Sequence, residues 1–139
     1  MGRISDWQRS IREKAAKQDQ VILQIIKKWE KEILDLIREQ LQQGIKPDGS
    51  RIGIYKSKWY ANMKGHDYVD LFLTGDFYYG LWLDCDAFPV VVMSDDEKTT
   101  LIFERYGDVL GLTDENKSLD SLPGLRQEIV EALQNVYEL

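Results

Sequence analysis

One apolar stripe runs through the first third of the chain, and it constrains the fold more than any other feature. Between residues 5 and 43, apolar side chains recur at three- and four-residue spacing: Trp7, Ile11, Ala15, Ile22, Ile25, Ile26, Trp29, Ile33, Leu36, Ile37 and Leu41. This spacing is typical of an amphipathic helix. No proline interrupts it, and Gly44 follows as a stop signal. The sequence therefore predicts a long N-terminal helix, and we expect its more polar start, residues 1–18, to form a projecting helical arm.

The centre of the chain changes from helical to alternating periodicity. Residues 79–85 alternate and predict a strand. One side of it carries Tyr79, Leu81, Leu83 and Cys85, and the other carries Trp82 and Asp84. A second apolar run follows over residues 87–93, so the sequence predicts a β-hairpin that turns around residues 84–87.

Two further helices are predicted towards the C-terminus. Ser94 and Glu97 have the spacing of a capping box, which predicts a helix over residues 95–106. Its inward-facing residues are expected to be Leu101, Ile102 and Tyr106. Residues 111–118 read as a polar loop, and Pro123 opens the last helix. Because the strands are clustered, we predict an α+β fold with a long N-terminal helix, a central antiparallel β-hairpin or small sheet, and two C-terminal helices.

The length of 139 residues and the single cysteine limit how the chain can be stabilised. A chain of this length can form one domain without disulfides or metal, so we predict a single domain over residues 1–139. Cys85 has no partner within the chain and suits a reducing compartment. The N-terminus shows no apolar signal segment, and no apolar run is long enough for a bilayer. We therefore expect a cytoplasmic protein that does not associate with a membrane.

The net charge of −6 conceals an uneven distribution. Residues 1–68 carry 14 Lys and Arg against 9 Asp and Glu, whereas residues 69–139 carry 4 against 15. Two interpretations stay open: two solvated faces, or a polarised molecule whose basic end attracts a neighbour's acidic end and builds rings or stacks. The overall acidic balance argues against direct nucleic-acid binding. The basic residues at the start of the first helix are Arg9, Arg12, Lys14 and Lys17.

No catalytic, cofactor-binding or metal-binding motif is present, and we predict no such site. The single histidine, His66, follows a glycine in a loop without a nucleophile elbow, so we interpret it as an exposed loop residue. One His and one Cys cannot supply the usual zinc ligands. Four aspartates near the hairpin could hold a hard cation, but a solvated hairpin edge is the favoured interpretation. These are Asp84, Asp86, Asp95 and Asp96.

Seven large aromatic residues fall within a span of 28 residues. They are Tyr55, Trp59, Tyr60, Phe77, Tyr78, Tyr79 and Trp82. We expect most of them in the core, although such a region also suits a buried subunit interface.

A series of short motifs follows in order over residues 20–139. It begins with the loop Gly44-Ile45-Lys46-Pro47-Asp48-Gly49 and continues through Tyr55, Tyr60 and Lys64. The most specific part is Asp70-Leu71-Phe72-Leu73-Thr74-Gly75-Asp76-Phe77-Tyr78. Asp96-Glu97-Lys98, Tyr106-Gly107, Gly111-Leu112-Thr113-Asp114-Glu115-Asn116 and a closing helix complete the series. The pattern resembles bacteriophage and prophage virion-morphogenesis proteins of the tail-completion and head–tail-joining type, especially small proteins of Bacteroides-type prophages.

This resemblance implies a structural protein of the virion or of its assembly, with no catalytic residue to carry over. The implied partners are copies of itself, in a ring or stack, and other phage tail or connector proteins. It implies synthesis in the host cytoplasm and leaves open whether the protein joins the virion. The residues it marks as interface candidates are Gly49, Tyr55, Tyr60, Lys64, Asp70, Leu71, Thr74, Gly75, Phe77, Tyr78, Trp82, Tyr106, Gly107, Gly111 and Leu112.

Two other functions stay open at the level of sequence. A small carboxylate-dependent hydrolase would need a cleft that holds two acids at chemical distance. A monomeric regulatory protein of a mobile element would need no self-association.

Overall fold

The computed structural model describes the backbone of residues 2–137 and the side chains of residues 5–137. In chain order the elements are α1 (Gly2–Lys28), α2 (Glu30–Gln42), α3 (Lys58–Lys64), α4 (Asp76–Tyr79), β1 (Leu81–Asp84), β2 (Val91–Ser94), α5 (Thr99–Tyr106), α6 (Asp114–Lys117) and α7 (Pro123–Tyr137). The long N-terminal helix, the antiparallel hairpin and the C-terminal helices confirm the predicted α+β class. A one-turn helix, α6, lies where the sequence predicted only a polar loop.

The predicted long helix is divided at Trp29, because the backbone there leaves helical geometry with φ −95° and ψ 15°. The division lies beside β1. Lys27 Nζ donates to the Leu83 carbonyl at 3.1 Å, and the Leu83 amide donates to Glu30 Oε2 at 2.8 Å. Lys27 and Glu30 also form an ion pair at 2.7 Å. The apolar stripe continues across the break, so the periodicity contained no sign of it.

The core forms where α2 meets the hairpin. Leu81 and Leu83 are buried, as the alternating pattern predicted, and pair with Ser94 and Val92 of β2. Tyr79, predicted on the same side of the strand, is instead exposed at the end of α4, because its amide bonds to the Gly75 carbonyl. The hairpin loop runs over residues 85–90 and is longer than the predicted turn at residues 84–87. The other buried apolar side chains of this core are Ile33, Leu34, Ile37, Leu41, Ile52, Val69, Phe77, Tyr78, Val109, Leu110 and Leu125.

Helix α7 packs antiparallel along α1, from Trp29 back to Gln18. At one end, Gly124 lies so close to Trp29 that an added Cβ would come within 2.6 Å of the indole ring. At the other end, the Tyr137 hydroxyl donates to Gln18 Oε1 at 2.5 Å. The described part of α7 therefore ends beside Gln18, about four helical turns after the described start of α1.

Residues 5–17 of α1 are all exposed. Trp7 keeps 66% and Ile11 48% of its surface exposed, although both belong to the apolar stripe that α7 covers further along. We call residues 5–17 the arm. Within residues 2–137, no helix combines the length and apolarity needed to cross a bilayer.

Helix α5 differs from its prediction at both its start and its exposed face. It begins at Thr99 rather than residue 95, because Ser94 Oγ donates to the Phe77 carbonyl at 3.1 Å and accepts from the Asp96 amide at 3.2 Å. Ser94 thus ties β2 to α4 instead of capping a helix. Ile102 packs against the core as predicted, but Leu101 is 65% exposed, and its predicted inward orientation was wrong.

Candidate functional site

The segment between α3 and α4 is held against the chain that precedes α3. Ser57 caps α3 by accepting from the Tyr60 amide at 3.2 Å, and Gly65 ends the helix with a positive φ of 84°. The chain then runs back alongside its own approach, where the Val69 amide donates to the Gly53 carbonyl at 2.9 Å. Helix α3 therefore sits inside a closed loop that brings Tyr55 next to the residues after Gly65.

The carboxylate of Asp70 is the centre of this region, and the residue is only 7% exposed. Its Oδ1 accepts from the Tyr55 hydroxyl at 3.2 Å and from the Phe72 amide at 3.0 Å. Lys64 Nζ lies 3.0 Å from the same oxygen, and His66 Nε2 lies 3.2 Å from Oδ2. Three groups of the protein thus converge on Oδ1, and the imidazole of His66 lies beside Oδ2.

The surrounding groups also set the charge of the network. Burial raises the pKa of the Asp70 carboxyl, but hydrogen bonds from the Phe72 amide and Lys64 outweigh it and hold the pKa below its usual range. Burial, together with the nearby Asp70 charge, raises the pKa of Tyr55 to about 12. The same two causes raise the pKa of Tyr78. At neutral pH an ionised carboxylate is thus held among protonated phenols, which suits a structural clamp better than proton transfer.

Tyr78 fixes the backbone on the other side of Asp70. Its side chain is 2% exposed, and its hydroxyl donates to the backbone carbonyl of Asp70. Lys64 Nζ donates to the Phe72 carbonyl at 2.6 Å. Between these two contacts Leu71 adopts a positive φ of 60°, which is uncommon for a residue with a branched side chain. The hydrogen bonds on both sides hold the segment in a conformation that it would rarely adopt alone.

Three large apolar side chains project from this fixed segment. Leu73 is 69% exposed, Tyr79 77% and Phe72 37%. They surround Gly75, which has a φ of 91°, and a Cβ there would lie 2.8 Å from the Tyr79 ring and 3.3 Å from the Phe72 ring. We call Phe72, Leu73 and Tyr79 the apolar rim. It consists of side chains whose exposure is set by a buried polar network beneath them.

The rim borders a cleft of about 350 Å³ between this segment and α5. The cleft brings together seven of the interface candidates, namely Tyr55, Tyr60, Leu71, Thr74, Gly75, Phe77 and Tyr106. Lys64, Asp70 and Tyr78 lie in the network next to it. Ten of the motif residues, which are separated by up to 51 positions in the sequence, therefore meet in one place.

The remaining candidates lie elsewhere. Gly107 and Gly111 face the loop after α2, where added Cβ atoms would lie 3.8 Å from Lys46 Nζ and 3.2 Å from Pro47 Cγ. Gly49 borders a second depression of about 420 Å³ beside α6, and Leu112 packs against the core. Trp82 lies on the hairpin next to α1. The structure thus separates the motif residues into a main group at Asp70, a group around the loop after α2, and Trp82.

His66 was interpreted as an exposed loop residue, and that interpretation was wrong. It does lie in a loop, but its side chain is only 22% exposed. The imidazole stacks on Tyr68 with ring centroids 3.9 Å apart, and its Nδ1 is buried without a hydrogen-bond partner. The spacing of four residues between His66 and Asp70 was visible in the sequence, but a loop gives no reason to expect the two side chains to meet.

Gln40 is a residue that the sequence reasoning missed. It is 5% exposed, and its side chain donates to the Gly111 carbonyl at 2.8 Å. Its Oε1 accepts from the Thr113 amide at 3.0 Å and from Asn116 Nδ2 at 2.5 Å. A signal was available, because Gln40 occupies an inward position of the apolar stripe, three residues after the buried Ile37. This amide anchors the α6 region to α2.

No group of three or more His, Cys, Asp or Glu side chains among the described residues is arranged to hold a metal ion. The aspartates around the hairpin therefore form no such cluster within residues 5–137.

Comparison with known proteins assigns no family to this chain. No family model matches it, and neither a curated protein nor a solved structure matches it. The arrangement of its own residues is thus the basis on which a function can be argued.

Proposed function

We propose that this protein is a structural component of phage virion or tail assembly, of the tail-completion or head–tail connector type. It acts by contacts with copies of itself and with other tail or connector proteins. The observation that carries the proposal is the apolar rim. The most specific motif segment, residues 70–78, is the one that a buried network fixes and that exposes large apolar side chains.

The apolar rim adds little to the stability of the folded chain. Exposed Leu73 and Tyr79 contribute little to folding, whereas the positive φ of Leu71 is unfavourable. Strained backbone that displays apolar side chains is typical of a surface shaped for contact with another molecule. Large aromatic side chains at the centre of such a surface are common anchors of protein–protein interfaces.

Helix α3 adds further exposed apolar side chains. Trp59 is 72% and Met63 60% exposed, one helical turn apart on the same face. Lys64, next to Met63, reaches the Phe72 carbonyl and lies 5.8 Å above the Phe72 ring, so α3 and the rim are linked. Most of the seven aromatic residues were expected in the core, and that expectation was wrong, because only Phe77 and Tyr78 are buried. Tyr55, Tyr60 and Trp82 are half-buried, and Trp59 and Tyr79 are exposed.

A structural role also fits the chemistry of Asp70. Asp70 is 7% exposed, and its Oδ1 accepts hydrogen bonds from the Tyr55 hydroxyl and the Phe72 amide of the same segment. The network therefore has its clearest use in fixing the rim.

The test is the molar mass in solution, measured by light scattering over a range of protein and salt concentrations. We expect the wild-type protein to form oligomers of its 16.2 kDa chain. The double variant Leu73→Ser, Tyr79→Ser should lower the mass below that of the wild-type oligomer, because it removes the apolar rim. The matched control is Val130→Ser, which changes a 46% exposed apolar residue on α7 and should leave the mass unchanged.

A constant mass of 16.2 kDa at every concentration would contradict self-assembly and favour a monomeric regulatory protein. An oligomer that the rim variant leaves intact would show that another surface makes the contact. Circular dichroism of each variant shows whether the helices are retained.

A further inference from the structure

The apolar stripe of α1 continues past the point at which its cover ends. The described part of α7 ends with Tyr137, which bonds to Gln18 of α1, whereas Trp7 and Ile11 lie further towards the start of α1 and are exposed. Helix α1 runs without a break to Lys28, so the arm extends in line with the covered part of the helix. No described segment of the chain covers the stripe at Trp7 and Ile11, which leaves these two side chains open to a partner.

The charges of the arm are also without partners in the described structure. Residues 5–17 carry four basic and two acidic side chains. None of the salt bridges among the described side chains involves any of these residues. Lys14 lies three residues after Ile11 and seven after Trp7, which places it on the same face of the helix. The exposed stripe is thus bordered by positive charge, so an acidic partner is favoured.

The chain itself presents an acidic apolar groove. A depression of about 340 Å³ lies between β2 and α5. Val91, Met93 and Phe103 line it and are 46%, 41% and 38% exposed, and Asp108 also lines it. The described sheet has the order β1-β2, so no strand covers the outer edge of β2 beside the groove. By contrast, the outer edge of β1 is bonded by Lys27 and Glu30 of the helices.

The charge at this groove complements that of the arm. Asp108 is the charged residue that lines the groove, whereas Asp96, Lys98 and Arg105 border the cleft beside the apolar rim. The whole segment of residues 91–110 carries five acidic and two basic side chains. No salt bridge among the described side chains involves any of them. The acidic residues are Asp95, Asp96, Glu97, Glu104 and Asp108. Two arms would repel each other, whereas an arm and a groove attract, so the groove of a second copy fits the arm better than another arm does.

We propose that the arm of one copy docks into the β2–α5 groove of a second copy, with Trp7 as its anchor. This inference rests on the proposed function and names the partner as the same chain. The arm and the groove are different surfaces, so each contact leaves one arm and one groove free. Such head-to-tail contacts close into rings or extend as filaments, depending on the rotation between neighbours. Trp7 supplies the apolar burial, and the opposite charges set the orientation and the association rate.

The direct test replaces Trp7 with the photoreactive amino acid benzoylphenylalanine. An equal mixture of isotope-labelled and unlabelled protein is irradiated, and the crosslinked peptides are identified by mass spectrometry. We expect peptides that join position 7 of one isotope to residues 91–110 of the other. Crosslinks confined to another region, or the absence of any between the two isotopes, would overturn the proposal. The same amino acid at Val130, which is exposed on α7, serves as the control and should not label the groove.

A charge exchange then tests the complementarity. The arm variant Lys14→Glu, Lys17→Glu and the groove variant Glu104→Lys, Asp108→Lys should each lose the crosslink when irradiated alone, because each places like charges together. An equal mixture of the two should restore it between unlike chains. If the mixture fails to restore it although both variants keep their helical circular dichroism, the pairing of these two surfaces is wrong.

The rim variant and the arm variant together distinguish a failure of the arm–groove contact from a failure of self-assembly. If the rim variant dissociates the oligomer and the arm variant leaves it intact, the arm–groove contact is wrong, whereas the proposed role in assembly is retained. The rim variant Leu73→Ser, Tyr79→Ser, in contrast, should retain the crosslink from position 7. A crosslink that it abolishes would show that position 7 contacts the rim instead.

Discussion

The arm and the Asp70 segment expose large apolar side chains to nearly the same extent, for opposite reasons. Leu73 is 69% exposed and Trp7 66%. Leu73 belongs to a backbone that Asp70, Tyr78 and Lys64 fix by buried hydrogen bonds. Trp7 belongs to a stretch of helix, residues 5–17, in which every residue is exposed. Nearly the same exposed fraction therefore belongs to a preorganised surface in the Asp70 segment and to an unsupported surface in the arm.

The difference determines what binding would cost in each region. A rim that is already fixed loses little conformational entropy when it meets a partner, because folding has ordered it. A helical stretch without tertiary packing is only marginally stable in water, so the arm gains order when a partner covers it. Substitutions should consequently affect folding in the Asp70 segment and association, but not folding, in the arm. The following experiments test that contrast, from the largest expected effect to the smallest.

Asp70→Ala should have the largest effect. It leaves the Lys64 ammonium and the Tyr55 hydroxyl in a mostly buried site without their acceptor. Loss of one partner from such a buried pair costs about 3 kcal/mol of unfolding free energy. Urea denaturation measures this loss. Asp67→Ala, which removes an exposed acid three residues away, is the control and should change the unfolding free energy by less than about 0.5 kcal/mol.

The same carboxyl should make the fold sensitive to acid. Its pKa is lower in the folded protein than in the unfolded chain, so its stabilisation is present above the unfolded pKa. That stabilisation is lost as the pH falls through the folded value. We expect the urea midpoint to fall between about pH 5 and about pH 2. The fall should be shallower in Asp70→Asn, and an equal slope in both proteins would show that other acids control the transition.

Tyr78→Phe should have a smaller effect. It removes the hydrogen bond to the Asp70 carbonyl but keeps the buried ring in place. The expected loss is about 1 kcal/mol, because a neutral hydrogen bond contributes about that much. The neighbouring change Tyr79→Phe is the matched control, since that ring is 77% exposed and should leave the urea midpoint unchanged.

The double variant Trp7→Ser, Ile11→Ser should have the smallest effect on folding. Both side chains are exposed and unpacked, so the unfolding free energy should change by less than about 0.5 kcal/mol. Ile25→Ala lies on the same stripe where the core covers it, and should cost about 2 kcal/mol. Equal effects of the two changes would show that the arm is packed in solution, and the contrast between the regions would be lost.

A good part of the framework could be predicted from local sequence. The helical stripe, the stop at Gly44, the burial of Leu81 and Leu83 and the start of α7 at Pro123 all depend on residues close together in the chain. The motif residues also included most of the Asp70 network. The sequence did not indicate that Lys64, His66 and Tyr55 share one carboxylate, because loops carry no periodicity from which side-chain contacts can be inferred.

Local periodicity is set by contacts three or four residues apart in helices and two apart in strands. It allowed the sequence by itself to determine the long N-terminal helix, the hairpin and the last helix, and the apolar side of α2 and β1. Tertiary structure alone decided which parts of those apolar sides are covered. The apolar stripe looks alike in sequence at Trp7 and at Ile25. It is exposed at Trp7 and covered at Ile25, because the described part of α7 ends beside Gln18. Tertiary structure likewise decided that Asp70, rather than another of the 24 acids, is the buried centre of the network. The path of the chain brings hydrogen-bond donors from positions 55–72 together around this carboxylate.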